Sequence, residues 1–104
     1  MKVAITVPAR DDLREIFRYL ETNTGTHKAR QIIAELRERC MGLQRMPERF
    51  ALLPGFETNG YRRRVWRDYL IVYQVAAGRV NVLRVLHGAS DLLAALEQDR
   101  TSFQ

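Results

Sequence analysis

The stretch "YLIVYQV", residues 69–75, is apolar at its odd and even positions alike, broken only by Gln74. Side chains of a strand alternate between the two faces of a sheet, so this run needs a dry cover on both sides. It is therefore expected to be the central strand, and the rest of the chain has to supply its neighbours and its covers. At 104 residues the chain is long enough for one domain that buries roughly 65% of its unfolded surface, and for one core.

Tight turns at Arg67-Asp68 and Ala77-Gly78 place residues 61–66 and 79–87 beside the central run as hairpin partners. Residues 2–7 are short and β-branched and end at Pro8, which predicts an edge strand running into a helix with proline in its first turn. Ala9, Leu13, Ile16, Phe17 and Leu20 then recur at helical spacing, with Asp11, Asp12 and Glu15 in the early turns, until Asn23-Thr24-Gly25 stops the helix. Thr26 is expected to cap a second helix carrying Ala29, Ile32, Ile33, Leu36, Cys40 and Leu43 on one face and ending before Pro47. So short a connection predicts an antiparallel helix hairpin.

Residues 47–60 hold two prolines and two glycines without a sustained period, but Phe50, Leu52, Leu53 and Phe56 all require burial, so the segment reads as a packed loop. Ser90 is expected to cap a closing helix with Leu92, Leu93 and Leu96 facing inward, and residues 101–104 form a loose tail. The expected fold is a single α+β domain over residues 1–104, in the order β-α-α-β-β-β-α, with an antiparallel sheet packed against a helix hairpin. Part of the other sheet face would then be available to a partner.

Charge narrows what that partner can be. Lys plus Arg number 17 against 12 Asp plus Glu, a net charge of +5 that favours anionic partners. Fifteen of those cations are arginine, which makes forked contacts to carboxylate or phosphate and stacks on rings. They concentrate in "YRRRVWR", residues 61–67: alternation sets Arg62, Arg64 and Trp66 on one face of the strand and Tyr61, Arg63 and Val65 on the other. Arg63 is expected at the rim or paired with Glu35 or Glu38, leaving Arg62, Arg64 and Arg67 freer to meet a partner. Arg84 lies in the last strand in the alternating set of Val82 and Leu86, and His87 stands at its end, where it either caps and packs or moves a proton. The residues expected to contact a partner are Arg62, Arg63, Arg64, Trp66, Arg67, Arg84 and His87.

Other chemistries find little support. Cys40 is the single cysteine, so an intrachain disulfide and a cysteine-built zinc site are excluded, a reducing cytoplasm fits, and the helical spacing predicts a buried thiol. His27 and His87 stand far apart without an acidic cluster, so no metal is expected. "PGFETNG" lacks the lysine and following helix of a phosphate-cradling loop, and no cofactor is implied. The N-terminus meets charge and proline before a signal-type apolar core develops, and no run approaches the ~18 apolar residues of a membrane span.

Taken together, "ARDDLREIFRYL", "ARQIIAELRERCMGL", "MPERF", "LPGFETNGYRRRVWRDYLIVYQV" and "VLRVLHGASDLLAAL" resemble the ParE branch of the RelE/ParE toxin superfamily, the toxin halves of bacterial type II toxin-antitoxin modules. The resemblance implies the fold derived above, a bacterial cytoplasmic protein and a cognate antitoxin, ParD-like or related, as partner. For ParE-like proteins it implies DNA gyrase as target, inhibited by binding. For RelE-like relatives it implies ribosome-dependent mRNA cleavage, which here would rest on His87, Arg62, Arg64 and Arg84. Residues 47–66 contain no lysine, and arginine is a poor base, which favours the ParE reading. Ala89 and Ser90 stand where ParE-like chains often continue with basic residues. A third reading, a basic nucleic-acid-binding module, follows from charge and from the interleaving of Arg64, Trp66 and Tyr69.

Overall fold

A computed structural model describes residues 1–88. Strand β1 (Lys2–Ile5) leads into α1 (Val7–Thr24) and α2 (Thr26–Met41), followed by β2 (Tyr61–Trp66), β3 (Tyr69–Ala76) and β4 (Arg79–His87). The expected closing helix and tail, with Ser90, Leu92, Leu93 and Leu96, lie outside the described residues.

The sheet runs in the order β1-β4-β3-β2. The β2-β3 and β3-β4 pairs are antiparallel as expected, but β1 lies parallel to β4, so the sheet is mixed. The parallel pair follows from the route: two helices carry the chain from β1 across one sheet face before β2 begins.

Residues 69–73 of β3 are all buried, which is the double-sided strand the sequence requires. On one face Tyr69, Ile71 and Tyr73 pack with Val80, Val82 and Val85 of β4 against Leu13, Ile16, Leu36 and Cys40 of the helices. On the other, Leu70 and Val72 lie under Leu53 and Phe56 of the loop. The 47–60 segment is thus a packed loop that covers part of the second face, while Arg63 and Val65 of β2 stay exposed on it. The loop is held by Leu53 N–H donating to Tyr61 O at 2.8 Å and Arg63 N–H donating to Ala51 O at 3.1 Å, which also satisfies the outer edge of β2. Leu52, expected inside, is exposed in this edge pairing, opposite Arg62.

Helix ends depart from the sequence reading in two places. Thr6 leaves the strand to cap α1, its hydroxyl accepting from Ala9 N–H and donating to Val82 O at 2.8 Å, so the first turn holds no acid and Asp12 falls in the second. Gly25, not Thr26, caps α2, and Thr26 is the first helical residue. At φ 89° and ψ 161°, Gly25 occupies a region that side chains avoid, and this single residue turns the chain between the helices.

Cys40 is fully buried, and loss of solvation pushes its thiol up to about 12, against smaller opposing effects of Arg64 and Arg37. Because the thiolate is the reactive form, the native protein is expected to resist DTNB at about pH 8 and to react only on unfolding in urea. A stopped-assay thiol titration in both states checks this; rapid native labelling would contradict the packing of α2.

Candidate functional site

The alternation expected for β2 holds: Arg62, Arg64 and Trp66 stand in register with Tyr73, Ile71 and Tyr69, on the helix-facing side. Their guanidinium groups are nevertheless turned to internal acceptors, unlike the expectation that they are freer than Arg63. Arg62 donates to Glu48 O at 3.1 Å and Phe50 O at 2.7 Å, beside the Tyr73 hydroxyl that donates to Pro47 O, so together they tie down the start of the loop. Arg64 donates to Arg39 O at 2.9 Å, placing a cation at the C-terminal end of α2, where helix carbonyls lack partners and the dipole favours positive charge. Arg63 is the exposed member, on the opposite face beside Val72, and neither acid expected for it is near: Glu35 pairs with Arg67 and Glu38 with Arg39, each at 3.7 Å.

Guanidiniums and rings alternate across this end of the molecule. Arg39 and Arg67 lie 5.1 and 5.0 Å from the Trp66 ring centre, and Arg49 and Arg64 lie 4.7 and 4.9 Å from that of Phe50. Such contacts stabilise closely spaced cations, in addition to the pairs of Arg39 with Glu38 and Arg67 with Glu35. Burial, then the charges of Arg49 and Arg39, push Arg64 below the ordinary arginine value.

Arg84 serves a different joint. Its Nε and Nη2 donate to Asp12 Oδ2 and Oδ1 at 2.8 and 2.9 Å, and Val85 N–H donates to Asp12 Oδ2 at 2.9 Å. One carboxylate thus locks α1 to β4 just beyond the last β1 pairing, at Val82. A shift in register between Val72 and Tyr73 pairs Val82 with Tyr73 but Arg84 with Val72, so Val82 and Arg84 do not share a face as strict alternation predicted.

His87 ends β4 in a cleft of about 410 Å³ lined also by Glu15, Tyr19, Tyr69 and Arg84. Its ring lies 6.1 Å from Tyr19 and 5.2 Å edge-on from Tyr69. Burial, then Asp68 and Tyr19, raise the Tyr69 phenol, which therefore stays protonated at neutral pH. Nothing in the sequence order indicated that two tyrosines flank this histidine, since α1 and β3 bring them from far away.

A groove between α1 and α2 was not anticipated as a site. Its rim carries Arg10, Arg14, Arg18, Arg30 and Arg37, with Glu21 as the single acid, over a floor that includes Leu13, Phe17 and Ile33. The i, i+4, i+8 spacing of Arg10, Arg14 and Arg18 was the available signal. Among the described residues no group of three or more His, Cys, Asp or Glu is placed to hold a metal, and no helix is long and apolar enough to cross a membrane.

Fold and surface define a small basic α+β protein with exposed arginines grouped on its helices and at the end of α2. The profile of the family described as "ParE toxin of type II toxin-antitoxin system, parDE" matches residues 3–92, and the chain belongs to that family. Among solved structures it is similar to a chain of the chromosomal ParDE toxin-antitoxin system from P. aeruginosa, with TM-score 0.75, 22% identity, and coverage of 85% of this chain and 96% of that one. It is also similar to a chain of the RelBE2 toxin-antitoxin complex from Mycobacterium tuberculosis, with TM-score 0.63, 26% identity, and coverage of 86% and 92%. No curated protein sequence matches.

The Asp12 clamp is expected to matter for stability. Asp12→Ala leaves Arg84 without its carboxylate and should cost about 2–3 kcal/mol in urea unfolding, less than a fully buried pair because the two side chains stay 14% and 18% accessible. Asp12→Asn keeps an acceptor for Val85 N–H and should cost less. Equal stability of wild type and Asp12→Ala would contradict the clamp.

Proposed function

We propose that this toxin acts by binding DNA gyrase and that a cognate antitoxin of the ParD kind neutralises it through an acidic, amphipathic segment. The observation that carries the antitoxin half is the α1-α2 groove, where exposed arginines rim an apolar floor. A segment that folds on binding would lay apolar anchors on Phe17 and Ile33 while its carboxylates meet Arg14, Arg18 and Arg37. Binding rather than cleavage is favoured because Arg62, Arg64 and Arg84, the groups that would stabilise a phosphorane, are already engaged with carbonyls and Asp12. Membership of the ParE family supports gyrase as the target.

A second reading, ribosome-dependent mRNA cleavage, is kept by one observation: His87 stands in a cleft between Tyr19 and Tyr69, where a ring nitrogen would have access to substrate.

Induction of the protein alone separates these. The gyrase reading expects DNA breaks and an SOS response, inhibition of gyrase supercoiling in vitro, and undiminished toxicity of His87→Ala. Early mRNA cuts at codon boundaries that vanish with His87→Ala would overturn it. For the groove, Arg14→Glu with Arg18→Glu should weaken antitoxin binding by about tenfold or more while the melting temperature holds; unchanged affinity would move the antitoxin elsewhere.

A further inference from the structure

A second basic surface lies at the C-terminal end of α2, and its chemistry differs from that of the helix groove. Arg39, Arg45, Arg49 and Arg64 line a shallow depression whose single acid is Glu38. Glu38 is engaged with Arg39 at 3.7 Å and is largely exposed, whereas Arg45 and Arg49 are exposed and have no carboxylate within 4.0 Å among the described residues. Gly42 adjoins Arg64: a side-chain carbon there would stand 3.4 Å from the Arg64 guanidinium, while its φ of −65° is open to any residue. A side chain at this position would thus border the guanidinium at ordinary contact distance without straining the backbone.

Crowding four guanidiniums around one carboxylate costs Coulomb energy that an anion would recover. What kind of anion follows from the floor. The helix groove offers Leu13, Phe17 and Ile33, anchors for an amphipathic peptide, whereas the depression has one apolar side chain, the flexible Met41, among guanidinium groups, Gln44 and backbone. Its ligand is thus a repeating anion needing no apolar anchor, and the nucleic-acid backbone is that kind of ligand. Single strands are held largely by stacking bases on aromatic rings, yet Phe50 and Trp66 already carry two guanidiniums each. A duplex keeps its bases stacked within and presents phosphates alone.

We propose that Arg39, Arg45 and Arg49, grouped around the internally engaged Arg64 in the depression at the end of α2, bind the phosphate backbone of duplex DNA, independently of sequence. The choice of DNA over RNA rests on the gyrase reading, since that target holds a DNA duplex. The antitoxin groove and the DNA surface are then two separate sites on one molecule.

The probe is a fluorescein-labelled 20-base-pair DNA duplex of mixed sequence, titrated with the full chain at several salt concentrations, beside RNA duplex and single-stranded DNA of equal length. Expected are a log-log salt slope of roughly −3, at about −0.9 per neutralised phosphate, and preference for duplex DNA. Arg45→Ala with Arg49→Ala should flatten the slope by about 2 and weaken binding by about tenfold or more, with the far-UV spectrum and melting unchanged because both residues are exposed. Arg45→Lys with Arg49→Lys should keep the slope, and Arg14→Ala with Arg18→Ala in the groove should leave it unaltered. The proposal is overturned by a slope that survives loss of Arg45 and Arg49, by equal loss from the groove variant, by tighter binding of RNA or single strands, or by displacement of DNA from the depression by polyglutamate at equal charge. Gyrase supercoiling is read in parallel: DNA binding without gyrase inhibition would sink the gyrase reading and leave the site standing.

Discussion

Burial of residues 69–73 of β3 on both faces is the constraint from which the rest follows. A strand dry on both sides needs two covers, and among the described residues a helix hairpin and one loop provide them. The hairpin takes the face of Tyr69, Ile71 and Tyr73, and the loop takes the face of Leu70 and Val72. The loop has no secondary structure strong enough to hold itself there. Backbone hydrogen bonds to β2 hold its middle, and Arg62 fastens its start through two loop carbonyls, with the Tyr73 hydroxyl beside it.

This division explains why a strand carries so many cations. Arg62, Arg64 and Arg84 act as connectors: loop to sheet, helix end to sheet, and α1 to β4. Charge-assisted hydrogen bonds to carbonyl or carboxylate contribute about 1.5–3 kcal/mol apiece. Arginine suits the work because its stem packs along apolar surface while its fork reaches acceptors at the rim. Exposed arginines of the helix hairpin and of the segment after α2 are left for function.

Much of this was legible in the sequence. The run at 69–75, the turns at 67–68 and 77–78 and the stripes of both helices gave strands and helices close to those observed, and helical spacing placed Cys40 in the core. Alternation also sorted Arg62, Arg64 and Trp66 from Arg63 and Val65 correctly. Parity cannot say which face is covered, however, so the arginines that looked free are engaged and Arg63 is the exposed one. Nor does parity survive a register shift, which separates Val82 from Arg84. Asp12 read as a helix-end charge; its role depends on β1 ending at Ile5 and exposing Val85 N–H, a tertiary fact without local signature.

The central claim is that arginines of one small chain divide into internal connectors and outward contacts. Nitrogen-15 NMR of the arginine side chains tests it directly by measuring Nε–H exchange with water residue by residue. Slow exchange at Arg62, Arg64 and Arg84, with rapid exchange at Arg14, Arg18 and Arg45, is the expected result. Exchange at Arg62 and Arg64 as fast as at Arg14 would contradict it.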